Sequence, residues 1–107
     1  MVDKALSQAI GFHQSGQLQD AERLYRAILQ IQPNHADANH NLGVLAVQVN
    51  QLHVALGHFK VALEANPNQG QFWLSFIDAL IRTDQPEVAR KVLEEGRQRG
   101  LHWVRRL

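Results

Sequence analysis

The chain has no cysteine, three prolines and seven glycines in 107 residues, with one tyrosine and two tryptophans. Without thiols there are no disulfides, no thiolate metal ligands and no cysteine nucleophile. No stretch approaches the roughly 18 consecutive apolar residues of a membrane helix. The opening Met1-Val2-Asp3-Lys4 lacks the basic segment and long apolar run of a secretion signal. These absences lead us to expect a soluble cytoplasmic protein with no membrane partner. Glycine-rich phosphate loops and nucleophile elbows are also missing, and Glu94-Glu95 is an adjacent pair, not a facing one. A chain this short hides about two-thirds of its unfolded surface on folding, too little to enclose a large active site. The expectation is a non-enzyme with no cofactor.

Charge is balanced overall, 11 Lys+Arg against 10 Asp+Glu, but not locally. From residue 88 onward Arg90, Lys91, Arg97, Arg99, Arg105 and Arg106 stand against only Glu94 and Glu95. Arg90, Lys91 and Arg97 can pair with Glu87, Glu94 or Glu95 at helical spacing, and no aromatic-and-basic groove motif accompanies the stretch, so nucleic acid is not an expected partner. Six histidines stand at 13, 35, 40, 53, 58 and 102. None forms the i, i+4 pair of a helical zinc site, and the five-residue spacings put partners on diverging faces, so no metal is expected. His58, beside Phe59, belongs at the rim of a packing face.

What the chain does have is a period. Ala21, Ala55 and Ala89 are spaced by 34 (55 − 21 and 89 − 55), as are Tyr25, Phe59 and Leu93, Ala9, Gly43 and Ile77, and the pair Pro33 and Pro67. Each unit reads as two helices. In the middle unit Ala38, Leu42, Leu45, Ala46 and Val49 recur at three and four, and after Asn50-Gln51 the pattern resumes with Leu52, Ala55, Leu56, Phe59, Ala62 and Leu63. Gly16, Asn50 and Asp84 fall at the break within each unit, where a left-handed residue ends a helix. Pro33 and Pro67 close second helices, Asn34 and Asn68 are placed to cap the helices that follow, and Pro86 suits a first turn. The small residues at 9, 43, 21, 55 and 89 let helices approach closely, and the bulky residues at 25, 59 and 93 fill the space between units.

The runs Ala38-Asn39-His40-Asn41-Leu42-Gly43, Ala55-Leu56-Gly57-His58-Phe59 and Ala62-Leu63-Glu64-Ala65-Asn66-Pro67 resemble a full unit of the tetratricopeptide repeat (TPR) family. Gln17 to Leu29 with Pro33 resembles the second half of another, and Trp73, Leu80, Ala89 and Leu93 fit a third. The resemblance implies an all-α fold, a right-handed α-α superhelix of three helix-turn-helix repeats in one domain spanning 1–107. Repeat 1 would cover about 2–35, repeat 2 about 36–69, repeat 3 about 70–103, with a short tail over 101–107. The first unit departs from the pattern at Ala5 and Gln8, and the third lacks the closing proline and ends at Gly100.

In similar proteins the first helices line a concave groove that holds a peptide segment or a helix, which makes a protein or peptide the expected partner and an adaptor the expected role. The 34-residue register places four rows there: Leu6, His40 and Leu74; Ser7, Asn41 and Ser75; Ile10, Val44 and Asp78; and Gln14, Gln48 and Arg82. Asn41 matches the asparagine ladder that similar repeats in O-linked N-acetylglucosamine transferases present to peptide main chain, with Ser7 and Ser75 in place of two rungs. The basic clamp that other members use for chaperone tails would fall on Leu6, Ile10, Asn41, Gln71 and Ser75, of which only Asn41 matches. Two other roles remain open. The repeats could be the substrate-recognition part of a larger enzyme such as an O-linked glycosyltransferase, since Gly70–Leu80 with Val88–Arg97 looks like the last repeat of bacterial proteins of that kind. Or the uncapped third repeat, with residues near Trp103, could make a homo-oligomer.

Overall fold

The computed structural model describes residues 1–100; the expectations placed on Trp103 and the rest of 101–107 lie outside the described residues. Six helices follow one another: α1 Val2–Gln14, α2 Leu18–Ile31, α3 Ala36–Gln48, α4 Leu52–Ala65, α5 Gly70–Arg82 and α6 Pro86–Gln98. Val2, Ala36 and Gly70 open the first helices, and Leu18, Leu52 and Pro86 the second, each 34 residues after its predecessor (36 − 2, 70 − 36, 52 − 18, 86 − 52). No strand occurs among the described residues.

The same backbone device ends each first helix. Gly16, Asn50 and Asp84 take positive φ of 81°, 61° and 60°. The next residue's N–H then reaches back to a carbonyl of the last turn: Gln17 to Phe12 at 2.9 Å, Gln51 to Ala46 at 2.8 Å, and Gln85 to Leu80 at 2.8 Å. This pattern satisfies carbonyls that a helix end otherwise leaves without donors.

The loops between repeats differ from expectation. The Asn34 and Asn68 side chains do not cap; the N-cap of α3 is His35, whose ring nitrogen accepts the Ala38 N–H at 3.1 Å, and that of α5 is Gln69, without a side-chain bond. The reason is the turn itself. His35 N–H bonds to Gln32 C=O at 3.0 Å and Gln69 N–H to Asn66 C=O at 3.4 Å, so the proline and asparagine occupy the middle of the turn and the cap falls one residue later.

Packing explains why the period is strict. Ala21 and Ala55 are fully buried and Ala89 nearly so. Gly43 meets Phe59 so closely that a Cβ there would stand 2.5 Å from the ring's Cε1. One apolar cluster joins Ala9, Ala21 and Tyr25 to Leu42 and Leu45 across repeats 1 and 2. A larger one joins Ala46, Phe59 and Leu63 to Trp73, Phe76 and Leu80 across repeats 2 and 3. Each repeat covers its neighbour's apolar face, so the core forms along the stack as one cluster at each junction. Leu93, the counterpart of Tyr25 and Phe59, is only half-buried because no repeat follows it among the described residues.

Candidate functional site

The four rows fall on the less buried side of α1, α3 and α5. Leu6, Ile10, His40, Asn41, Val44, Leu74 and Ser75 are half-buried, whereas Ser7, Gln48, Asp78 and Arg82 are exposed. Helical spacing explains the placement: the neighbouring stripe at Ala38, Leu42, Leu45 and Ala46 is buried in the core. Asp78 and Arg82, one turn apart on α5, form an exposed ion pair at 3.0 Å.

Two of the polar positions are occupied by bonds between repeats. His13 Nε2 lies 2.6 Å from Gln48 Oε1, and its Nδ1 lies 3.1 Å from the buried Tyr25 hydroxyl. Because the amide oxygen can only accept, Nε2 carries the proton in this arrangement, and a neutral ring then accepts at Nδ1 from the tyrosine. Burial raises the Tyr25 pKa, which keeps that hydroxyl a donor. At the second junction His40 Nε2 lies 2.8 Å from Ser75 Oγ, which also accepts from Gln71 Nε2 at 3.2 Å. The His40 ring packs between Phe59 and Phe72, with centroids 5.4 and 4.8 Å away. His40 is thus a wedge between repeats as well as a member of the candidate face. Burial lowers its pKa against opposing contributions from Asn41 and Asp37.

The sequence reading passed over Asn39, the one buried polar residue among those described, at 2% exposure. Its Nδ2 donates to the carbonyls of Pro33 at 3.0 Å and His35 at 2.9 Å, tying down the loop between repeats 1 and 2. His58 Nδ1 approaches Asn39 Oδ1 at 3.2 Å, and since the amide oxygen only accepts, His58 is the donor. The His58 pKa is lowered by burial and by the nearby Arg26 charge. A signal for Asn39 was present: in the 34-residue register it coincides with Trp73, and both follow a proline by six residues.

A concavity of about 800 Å³ lies over α5 between α4 and α6, with Trp73, Phe76 and Leu80 among the residues lining it. Its equivalent at the first junction, lined by Glu22, Arg26, Leu42 and Val54 among others, measures only about 70 Å³. The basic run on α6 is largely matched within its own helix: Arg90 pairs with Glu87 at 3.3 Å, Arg97 with Glu94 at 3.9 Å and Arg99 with Glu95 at 3.6 Å. No helix among the described residues is long and apolar enough to cross a membrane.

By sequence the chain matches no protein-family model and no curated relative. Its fold matches solved structures well. A mutant of MamA superposes with a TM-score of 0.76 at 20% identity, covering 91% of this chain and 71% of that one. The TPR2B domain of yeast Sti1, in its complex with pHsp70, gives 0.80 at 16% identity over 91% of this chain and 78% of that one. A mutant O-GlcNAc transferase of Thermobaculum terrenum gives 0.79 at 24% identity over 89% of this chain, which spans only 18% of the enzyme. Six helices in register at a 34-residue step, joined by repeated turns and matching these structures, make this chain a three-repeat tetratricopeptide-repeat fold, an all-α superhelical stack.

Proposed function

We propose that the chain is a protein-interaction module that holds a peptide segment or helix of a partner protein on the face formed by α1, α3 and α5. The observation that carries this reading is the half-exposed apolar set Leu6, Ile10, Val44 and Leu74, drawn from all three first helices and flanked by hydrogen-bonding side chains. Apolar contact supplies affinity in such a groove, and Ser7 and Asn41 supply direction by bonding main-chain groups of the ligand. The Sti1 domain in complex with pHsp70 has the same fold, which favours a proteinaceous ligand. Gln48 and Ser75 contribute less than their sequence positions promise, because each is already bonded to a histidine of the preceding repeat.

The test is binding to an array of helical and extended peptides by the parent, by Asn41→Ala and Leu74→Ala, and by Val88→Ala, which alters the exposed valine at the α4–α6 concavity instead. Signals lost in the first two variants and kept in the third support the reading. Signals kept in the first two and lost in the third move the interface to the other side of the stack. A second reading, that these repeats present substrates to a catalytic domain of a longer protein, is favoured by the likeness to the O-GlcNAc transferase. The reading frame beyond Leu107 decides it.

A further inference from the structure

We propose that the stack is acid-sensitive at both of its junctions, through one half-buried histidine at each: His58 where repeats 1 and 2 meet and His40 where repeats 2 and 3 meet. Each ring is half-buried at its junction, which disfavours the charged form. His40 stands between two phenyl rings, Phe59 from α4 and Phe72 from α5, and touches Ser75 of the next repeat. The groups it meets on α4 and α5 are uncharged, and Asp37, on its own helix, is the carboxylate that acts on it. His58 donates a hydrogen bond from Nδ1–H to Oδ1 of Asn39, the residue that fastens the first inter-repeat loop. Arg26 of α2 repels a charge there, while its own partner Glu22 lies 2.8 Å away.

A second proton on either half-buried ring is only partly solvated, which weakens the packing that holds the ring at its junction. Both histidines have folded-state pKa values below the ordinary value of 6.5, chiefly from burial. The unfolded chain therefore binds more protons than the folded one as pH falls through that value. The stabilisation is complete above about pH 6.5 and is lost below it, down to the folded-state midpoints. The phenyl faces at His40 attract a cation and oppose this, which makes its measured midpoint decisive.

The experiment follows the ring protons of His40 and His58 by NMR as the pH is lowered, and compares thermal unfolding at about pH 8 and about pH 5 for the parent, His40→Gln, His58→Gln and the double variant. Both rings are expected to titrate below 6.5. The parent should lose melting temperature on acidification, each single variant should lose less, and the double variant should lose least. A midpoint at or above 6.5 for either ring overturns the assignment at that junction, and so does an undiminished acid response in the corresponding variant. If a glutamine variant fails to fold, the ring titration of the parent decides alone.

Discussion

The two junctions share a backbone and differ in chemistry. Each inter-repeat loop turns at a proline, and each has that proline's carbonyl held by a side chain six residues on: Asn39 Nδ2 at 3.0 Å from Pro33, Trp73 Nε1 at 2.7 Å from Pro67. Asparagine performs the task with two bonds and little volume, bonding His35 C=O as well. Tryptophan has a single N–H, and adds an indole buried to 2% exposure with Arg99 stacked 5.6 Å from its ring. The clefts behind the loops diverge accordingly. Register pairs Glu22 with Leu56, Arg23 with Gly57 and His58 with Val92, so charged and polar side chains at the first junction correspond to shorter or apolar ones at the second. The lesson is that the repeat prescribes where a loop must be tied and leaves open what ties it.

The strongest way to break this comparison is to remove both ties. Trp73→Ala deletes a buried aromatic and a loop anchor together and should cost about 3–5 kcal/mol, seen as a large fall in the chemical denaturation midpoint. Asn39→Ala removes little volume but leaves the Pro33 carbonyl without its side-chain donor, while the His35 carbonyl keeps the Asn39 backbone N–H, a loss of about 1–3 kcal/mol by the same measurement. Equal losses would mean that the hydrogen bond dominates at both loops and the indole's bulk counts for little. Within repeat 2, Gly43→Ala forces a Cβ against the Phe59 ring and should cost about 1–3 kcal/mol. Gly57→Ala, on the other helix of the same repeat, has open space around the new Cβ and should instead gain about 0.5–1 kcal/mol, read as a modest rise in melting temperature.

How much of this was legible in the sequence follows from what repeats and what does not. The helices were legible because Ala21, Ala55 and Ala89 answer the same local demand in every unit, and Pro33 and Pro67 do so in the first two. The caps were not, because whether Asn34 or His35 caps α3 depends on a turn bond that composition does not announce. The rows of the candidate face were legible as positions. That Gln48 and Ser75 are engaged was not, because the His13–Gln48 and His40–Ser75 bonds each span 35 residues, one more than the period. Such bonds depend on the tilt between neighbouring repeats, which a one-dimensional register does not carry. Asn39 was hidden for another reason, since an asparagine in a helix reads as surface until its carbonyl partners are known.

The stacking of each repeat on its neighbours also bears on how fast the protein forms. The substantial helix contacts join helices that are consecutive in the chain or one apart, with α3 and α4 the most extensively packed pair. Closing such contacts requires only short loops, so the entropy lost before each contact is rewarded is small. The middle repeat, as the best-packed pair, is expected to form first, which folding and unfolding rates of variants in each helix would test. A substitution in α3 or α4 should therefore slow folding, whereas one in α1 or α6 should chiefly hasten unfolding.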